Sequence, residues 1–181
     1  LNEDDELVTA KITTPLTKQL FIVTSKGMCI KFNVEKTREQ GRNTVGVRGI
    51  KFKHEDDMVV GAATINKDED ELLTVAEKGI GKRTTADEYR LTNRGGSGVI
   101  AMKLTPKTGD VVGIEIVDED KDLMILTSSG KMIRVDMQSI RKAGRNTSGV
   151  KVVSVDGKDV VASVARCPKK EPDLEDADSI H

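Results

Sequence analysis

Lysine and arginine residues recur at fixed spacings along this chain of 181 residues. Three sets align at offsets of 52 and then 51 residues: Lys31, Arg83 and Arg134; Arg38, Arg90 and Arg141; and Arg42, Arg94 and Arg145. Side chains of this kind neutralise phosphates and release counterions without reading bases. Their recurrence predicts rows of positive charge that suit a polyanion.

These cations have two possible interpretations, a phosphate track or a set of structural ion pairs. A structural arginine paired with a carboxylate could recur once per repeat, but three cationic positions per repeat are harder to explain in that way. Bending 20–30 bp of duplex DNA by 40–90° costs roughly 1–6 kcal/mol. A charge-assisted hydrogen bond contributes roughly 1.5–3 kcal/mol, so two or three phosphate contacts per repeat would offset the bend. The candidate phosphate-binding residues are Lys31, Arg38, Arg42, Arg48, Lys82, Arg83, Arg90, Arg94, Arg134, Arg141 and Arg145.

Positive charge is confined to the body of the chain, although the formal net charge is only −1. Residues 1–6 carry four acids and residues 171–181 carry five, and neither segment contains a lysine or an arginine. The residues between them hold all 29 basic residues against 21 acids, an excess of about eight. This distribution predicts a basic body and a disordered acidic tail that competes for the same surface. A tail that only solubilises the chain fits equally well.

Few residues in this sequence could support catalysis, metal binding or base stacking. His54 and His181 are the only histidines, so no Ser/His/Asp or Cys/His arrangement can be assembled. Cys29 and Cys167 form no CxxC pair, which excludes a zinc knuckle or a disulfide framework. Four aromatic residues leave no stacking platform for single strands, and no apolar run approaches the roughly 18 residues of a membrane helix. We expect no catalytic residue, metal or cofactor in this segment, no membrane contact, and a reducing cytoplasmic location.

Apolar runs of strand length recur together with the cations. The runs are residues 20–24, 72–75 and 123–127. Each run is followed by a turn glycine and by a second strand that contains a cation. Residues 7–9 match the start of the closing strand at residue 59 and are interpreted as the end of an earlier repeat. The glycines predicted to form structural turns are Gly27, Gly46, Gly79, Gly98, Gly130 and Gly149.

Each repeat of about 50 residues is interpreted as four β-strands, which predicts an all-β propeller. One four-stranded sheet cannot bury both faces by itself, so neighbouring repeats must stack as blades. The predicted organisation is the end of a preceding blade (1–18), three blades (19–69, 70–120 and 121–166) and the acidic tail (167–181). Three blades and one strand are too few to close an ordinary ring. We therefore expect a partial propeller from the C-terminal part of a longer protein.

Motifs rich in glycine and arginine resemble those of one known family. Residues 40–50 (QGRNTVGVRGI), residues 144–150 (GRNTSGV), and residues 79–84 (GIGKRT) with Tyr89 and Arg90 resemble blade signatures of the DNA gyrase A C-terminal domain. The resemblance covers about residues 7–165. It implies a six-bladed β-pinwheel, a propeller variant in which neighbouring blades exchange strands.

The resemblance also implies a function and a set of partners. The implied module binds and bends duplex DNA, wraps it with positive handedness and presents it to the strand-passage gate of an ATP-dependent type II topoisomerase. The parent enzyme would thereby introduce negative supercoils. The implied partners are duplex DNA, the gyrase B protein and the remainder of the gyrase A protein, at the nucleoid of the bacterial cytoplasm. ATP and Mg²⁺ are implied elsewhere in the parent enzyme, whereas this segment is expected to be non-catalytic.

Two alternatives to this resemblance remain open. The family's characteristic box, QRRGGKG, belongs to its first blade, and residues 92–98 (TNRGGSG) match it only in part. The related topoisomerase IV C-terminal domain has degenerate blade signatures, whereas the regular Gly-Arg-Asn-Thr copies favour gyrase. A propeller of the RCC1 kind, which binds protein partners, lacks support because the chain shows no repeated Trp and none of that family's own glycine signatures.

Overall fold

The computed structural model describes residues 5–170, which form eleven β-strands and three short 3₁₀ turns. The strands are β1 (Gln19–Thr24), β2 (Met28–Asn33), β3 (Val59–Ile65), β4 (Glu71–Ala76), β5 (Ile80–Thr85), β6 (Val99–Ile100), β7 (Val111–Ile116), β8 (Lys121–Thr127), β9 (Met132–Asp136), β10 (Val150–Lys151) and β11 (Val161–Pro168). The first, second and third 3₁₀ turns are Val34–Lys36, Ala86–Glu88 and Met137–Ser139. These turns are the only helical segments of the described residues, and none could cross a membrane. The all-β prediction is confirmed.

Three antiparallel hairpins repeat at the spacing of the sequence units. They pair β1 with β2, β4 with β5 and β8 with β9. Their Val, Ile and Thr residues favour extended backbone because branched side chains pack well on a pleated surface. Each hairpin turns at a glycine, Gly27, Gly79 or Gly130, whose φ lies between 73° and 83°. The turn therefore sets the length of each hairpin and returns the chain for the next strand.

Each complete sheet contains strands from two successive repeats. The first sheet has the order β3-β1-β2-β6, the second β10-β5-β4-β7, and the third, within the described residues, β11-β8-β9. β6 follows the second hairpin in the chain yet pairs with β2, and β10 follows the third hairpin yet pairs with β5. This exchange of outer strands is the β-pinwheel arrangement, so the predicted fold class is confirmed.

The second sheet is buried on both faces, because successive side chains of a strand point to opposite sides. Leu72 packs with Phe21 and Tyr89 between the first and second sheets, whereas Leu73 packs with Leu123 between the second and third. All five side chains are buried. The rings of Phe21 and Tyr89 meet edge to face, with centroids 4.8 Å apart. Stacking of neighbouring sheets thus supplies the core that no single sheet could form.

The inner strands β3, β7 and β11 lie side by side. Gly61 and Gly113 occupy matched positions on the first two, where a Cβ atom would lie 3.1 Å from Ile114 Cγ2 and 2.8 Å from Val164 Cγ2 of the next strand. Glycine therefore permits the close approach of successive sheets. Val8 lines a cavity together with residues of all three inner strands.

The predicted blade boundaries, including the assignment of residues 1–18 to a preceding blade, stay predictions. β11 extends to Pro168, so the first residues that were assigned to the acidic tail belong to a strand. Residues 1–4 and the acidic stretch 171–181 lie outside the described residues.

Candidate nucleic-acid interface

Lys31 lies on β2 and is buried, with 5% of its surface exposed. Its Nζ donates a hydrogen bond of 2.6 Å to the carbonyl oxygen of Ala86 in the second 3₁₀ turn. Burial lowers the pKa of Lys31, and the carboxylates of Asp68 and Asp87 oppose that shift. The bond joins the first sheet to the following repeat, so this side chain is not available to a phosphate in the structure.

Arg83 occupies the matching position on β5 and is also buried. Its Nε donates to the carbonyl oxygen of Ile140 at 2.5 Å, and its Nη1 and Nη2 donate to Gln138 Oε1 at 2.8 Å and to the Gln138 carbonyl oxygen at 3.0 Å. Glu71 Oε2 lies 3.2 Å from Nη1. These contacts join the second sheet to the third 3₁₀ turn and occupy the guanidinium inside the molecule.

Arg134 is the third member of this set and differs from the other two. It lies on β9, whose outer edge has no exchanged strand within residues 5–170. The guanidinium is partly exposed and lies 3.4 Å from Asp122 Oδ2 and 3.2 Å from the carbonyl oxygen of Pro168. The position therefore carries a buried connector where another repeat covers it, and an accessible cation where none does.

Arg94 and Arg145 lie in the loops that lead to the exchanged strands β6 and β10, and Arg42 holds the equivalent position in the first repeat, where no exchanged strand follows within residues 5–170. Arg94 Nη1 donates to the carbonyl oxygen of Arg48, and Arg145 Nη1 donates to that of Ile100, both at 2.6 Å. Because the two acceptors are one repeat apart, the bond is a repeated feature of the fold. Arg42 is exposed, and its side chain has no hydrogen bond or ion pair within the described residues. Arg94 and Arg145 stay partly exposed, and a guanidinium has donors to spare for a phosphate.

Lys82 on β5 is fully buried, with no exposed surface. Its ammonium group donates to the carbonyl oxygens of Gly144 at 2.8 Å, Arg145 at 2.5 Å and Thr147 at 3.0 Å. Burial lowers the pKa of Lys82 to about 8, against the opposing effect of Glu88. The sequence placed this lysine on the phosphate track, whereas the structure places it between two repeats, satisfied by backbone carbonyl groups.

Arg38, Arg90 and Arg141 are exposed, in contrast to the buried cations. Each follows a 3₁₀ turn by two residues, and none of their side chains has a hydrogen bond or ion pair within residues 5–170. The residues that follow Arg90 and Arg141 form bridges to β2 and β5, the second hairpin strands of the preceding repeats. Arg90 and Arg141 therefore stand beside the first and second sheets, and Arg38 holds the same position in the first repeat. Arg48, the remaining candidate, is also exposed.

Arg38 and Arg94, which belong to different sets, border one shallow groove together with Glu35 and Lys36. Arg94 Nε also donates a hydrogen bond of 3.3 Å to the carbonyl oxygen of Lys36. The sequence analysis missed Lys36, because the residues at its position in the following repeats are Glu88 and Ser139. No repeat signal could have found it, since its contribution comes from proximity to the arginine of another repeat.

All six glycines that were predicted to form turns have positive φ, between 70° and 88°. Two of them precede the exchanged strands, where the neighbouring sheet comes very close. A Cβ atom would lie 2.1 Å from the carbonyl oxygen of Cys29 at Gly98, and 2.5 Å from that of Gly81 at Gly149. Only glycine satisfies both the backbone conformation and this approach.

The described residues present an electrostatic surface. Within residues 5–170 no three His, Cys, Asp or Glu side chains come close enough together to share a metal ion. Burial raises the pKa of the Cys29 thiol to about 12, which makes a thiolate nucleophile unfavourable there. His54 is exposed on a loop. The candidate residues that the structure leaves exposed are arginines, whose side chains bind anions.

The family described as DNA gyrase C-terminal domain, beta-propeller, matches residues 18–66, 70–118 and 121–168. The DNA gyrase A protein of Campylobacter fetus is 68% identical over 159 residues, which cover 88% of this chain and 18% of that protein. The DNA gyrase A protein of Helicobacter pylori (strain ATCC 700392 / 26695) is 53% identical over 172 residues, covering 94% of this chain and 20% of that protein. The chain thus spans about a fifth of the length of these relatives.

Solved structures show the same architecture. A structure of the DNA gyrase A C-terminal domain matches with a TM-score of 0.81 and 28% identity, over 91% of this chain and 55% of that chain. The C-terminal domain of DNA topoisomerase IV matches with a TM-score of 0.83 and 21% identity, over 93% of this chain and 52% of that chain, which shows a shared fold. The repeated hairpins, the exchanged strands and the family match agree, and the chain belongs to the DNA gyrase C-terminal domain family of β-propellers.

Proposed function

We propose that this chain binds and bends duplex DNA through its phosphate backbone, as part of a gyrase A protein. One observation carries the proposal: Arg38, Arg90 and Arg141 recur at one position on successive repeats, exposed and without a partner in the described residues. A repeating row of accessible cations complements a repeating row of phosphates. Such contacts provide affinity and orientation without a preference for sequence.

The energetics of this arrangement allow a bent duplex. Bending a segment of 20–30 bp by 40–90° costs roughly 1–6 kcal/mol. Arg38 and its two counterparts could each contribute roughly 1.5–3 kcal/mol through a charge-assisted hydrogen bond. Arg94, Arg145 and Arg134 add positive charge beside the row, although part of each guanidinium is already bound within the protein.

The wider role that we propose follows from the family. The parent would be an ATP-dependent type II topoisomerase that introduces negative supercoils, with the remainder of gyrase A and the gyrase B protein as partners. ATP and Mg²⁺ would act elsewhere in that enzyme, in the cytoplasm at the nucleoid. The curated relatives, which are gyrase proteins, support gyrase over topoisomerase IV.

The salt dependence of binding tests the phosphate contacts. Replacing Arg38, Arg90 and Arg141 together by Ala should weaken binding to all duplex sequences. The plot of log K against log salt should become shallower by about 0.9 for each lost contact. Fluorescence anisotropy with two unrelated duplexes, at several salt concentrations, measures both effects.

The matched control replaces three other exposed lysines, Lys53, Lys107 and Lys158, by Ala and changes the net charge equally. We expect this variant to keep most of the slope, because its three lysines lie on loops and do not share the repeated position of the arginines. An equal loss in both variants would reduce the interaction to net charge and contradict the proposed track.

A topological assay tests bending separately from binding. Ligation of nicked circles in the presence of the full-length protein should trap positive writhe, and the triple arginine variant should trap less. Binding without any change of linking number would show that the chain holds DNA without wrapping it.

A further inference from the structure

The loop Gly144–Thr147 is a receptor for a lysine side chain. Three of its carbonyl oxygens accept hydrogen bonds from the buried ammonium group of Lys82. This lysine lies on β5, the second hairpin strand of the preceding repeat. Thr147 Oγ1 also donates 2.7 Å to the carbonyl oxygen of Gly144, which closes the loop. An ammonium group has three donors, so three converging acceptors satisfy it fully.

The loop Gly41–Thr44 has the same four residues, Gly-Arg-Asn-Thr, and the same closed form. Thr44 Oγ1 donates 2.9 Å to the carbonyl oxygen of Gly41, and the turn lies at Arg-Asn in both loops. Gly46 keeps a φ of 77°, as Gly149 keeps one of 88°. The loop Gly41–Thr44 therefore has the same backbone form as the loop Gly144–Thr147, which binds Lys82.

Nothing within the described residues is docked on this first loop. A Cβ atom built on Gly46 would meet no atom within 4 Å, whereas at Gly149 it would lie 2.5 Å from the carbonyl oxygen of Gly81. Val45 is 98% exposed, and Val47 is exposed as well. The conformation that serves docking in the later repeat is thus present here without an occupant.

We propose that the loop Gly41–Thr44 binds the ammonium group of a lysine on the second hairpin strand of a preceding repeat. Each docking loop in the structure lies on the hairpin of the preceding repeat. Residues 91–100 lie on the first hairpin, and residues 142–151 lie on the second. The gyrase A C-terminal domain that this chain matches is longer, since the match covers 55% of it. A further repeat in the full-length protein is therefore the occupant that the geometry requires.

A second copy of this chain fits the loop less well. Within residues 5–170, β9 is the one second hairpin strand that pairs with no exchanged strand. At the position of Lys82, β9 carries Ile133. An isoleucine cannot donate to the carbonyl oxygens of Gly41–Thr44. The first repeat has Ile30 at this position, and Ile30 lies under the glycine-rich loop 93–96. A Cβ atom built on Gly96 would lie 3.8 Å from Ile30 Cδ1. The two docked pairs in the structure thus match Gly-Arg-Asn-Thr with lysine, and Arg-Gly-Gly with isoleucine.

Lysine acetylation of the full-length protein, followed by mass spectrometry, provides the first test. A lysine 52 residues before Ile30 should react at least about tenfold more slowly than exposed lysines, as Lys82 should, because a buried amine reacts only after local opening. If no lysine of the preceding repeat is protected, the proposal is wrong.

Hydrogen exchange provides the second test, on the same full-length protein. Replacing the protected lysine by Ile should accelerate exchange of the amides of residues 41–48 and leave those of residues 144–151 unchanged. Lys82→Ile is the matched control and should produce the reverse pattern. If the Ile variant fails to fold, Met at the same position preserves the length of the side chain without its charge. Unchanged exchange at residues 41–48 in a folded variant would overturn the proposal.

Discussion

Two junctions between repeats have the same backbone arrangement but different side chains. In the first junction, Thr92 N donates to the Lys31 carbonyl oxygen and Ala101 N to that of Gly27, each at 2.8 Å. In the second, Ala143 N donates to Arg83 and Val152 N to Gly79, again at 2.8 Å. β6 and β10 then pair with the outer strands of the two hairpins. The exchanged strand is therefore held in the same way in both places.

The side chains beneath these backbone bonds differ in polarity. Ile30, Phe32 and Ile50 form a buried apolar cluster in the first sheet. In the second sheet the positions of Ile30 and Phe32 are occupied by Lys82 and Thr84, and Thr84 Oγ1 donates 2.8 Å to the carbonyl oxygen of Ala143. The second junction replaces hydrophobic contact with hydrogen bonds to a loop.

The backbone hydrogen bonds are the same at both junctions, so they fix the position of the docked loop. The buried side chains differ, so they determine which loop sequence each junction accepts. An apolar junction depends on area and shape, so small changes in volume cost little. A polar junction depends on partners, because a buried carbonyl or ammonium group without one is costly. The second junction should therefore be the more selective.

The largest loss in the free energy of unfolding is expected from Ile30→Lys, which places a lysine in the apolar first junction at the position of Lys82 in the second. The new ammonium group would be buried beside Phe32 and Ile50, without the carbonyl oxygens that surround Lys82, at a cost of about 3–5 kcal/mol. Urea denaturation measures the free energy of unfolding. Ile30→Val is the control and should cost only about 0.5–1.5 kcal/mol. Similar stability of the two variants would mean that the first junction also accommodates a cation.

Lys82→Ile makes the reverse exchange and should have the next largest effect. It leaves the carbonyl oxygens of the loop Gly144–Thr147 without their buried donor, so we expect a loss of about 3 kcal/mol. The comparison variant, Lys158→Ile, alters an exposed lysine and should change the free energy of unfolding by less than about 0.5 kcal/mol. An unaltered midpoint for Lys82→Ile would show that the polar contacts contribute nothing.

The pH dependence of stability should distinguish the junctions further. The pKa of Lys82 is lowered to about 8 in the folded chain, from an ordinary value of 10.5. Between these values the unfolded state binds more protons, so stability should rise with pH, by on the order of 3 kcal/mol. Below about pH 8 the cost of burying the charge is constant. Denaturation of the wild type and of Lys82→Ile across this interval gives the difference that belongs to Lys82.

That difference is needed because Cys29 acts in the opposite direction. Its pKa is raised from 9.0 to about 12, so the folded state keeps a proton that the unfolded state loses, and stability falls above about pH 9. The wild type and Lys82→Ile both contain Cys29, so the contribution of its burial cancels and only its electrostatic coupling to Lys82 remains in the difference. A difference that stays flat with pH would contradict the titration of Lys82 in the folded chain.

The smallest effects concern the arginines that span both junctions. Arg145→Ala removes one hydrogen bond from a guanidinium to a carbonyl oxygen, and Arg94→Ala removes two, to the carbonyl oxygens of Arg48 and Lys36; each substitution should cost about 1–2 kcal/mol. Arg42→Ala should change stability by less than about 0.5 kcal/mol in this chain, since the structure shows no partner for it within residues 5–170. Urea denaturation of the three variants gives the comparison. Equal losses from all three would assign their effect to something other than these bonds.

The repeat could be predicted from the sequence, and with it most of the fold. Alternating apolar runs and turn glycines at a constant offset predicted the three hairpins and the stacking of sheets. β6 and β10 are only two residues long, too short for a periodic signal, and their exchange between sheets was expected only from the resemblance. The alignment placed the cations at equivalent positions of successive repeats, but it gave no information on their exposure.

Among the candidate cations, the sequence by itself determined the spacing and the equivalence of positions. The tertiary structure alone decided that Lys31, Lys82 and Arg83 are buried while Arg38, Arg90 and Arg141 are exposed. The physical reason is that spacing is a property of one chain segment, whereas burial depends on the repeat that packs against it. Arg134 shows this directly, since it shares the repeat position of Arg83 and remains partly exposed on β9, which pairs with no exchanged strand within the described residues.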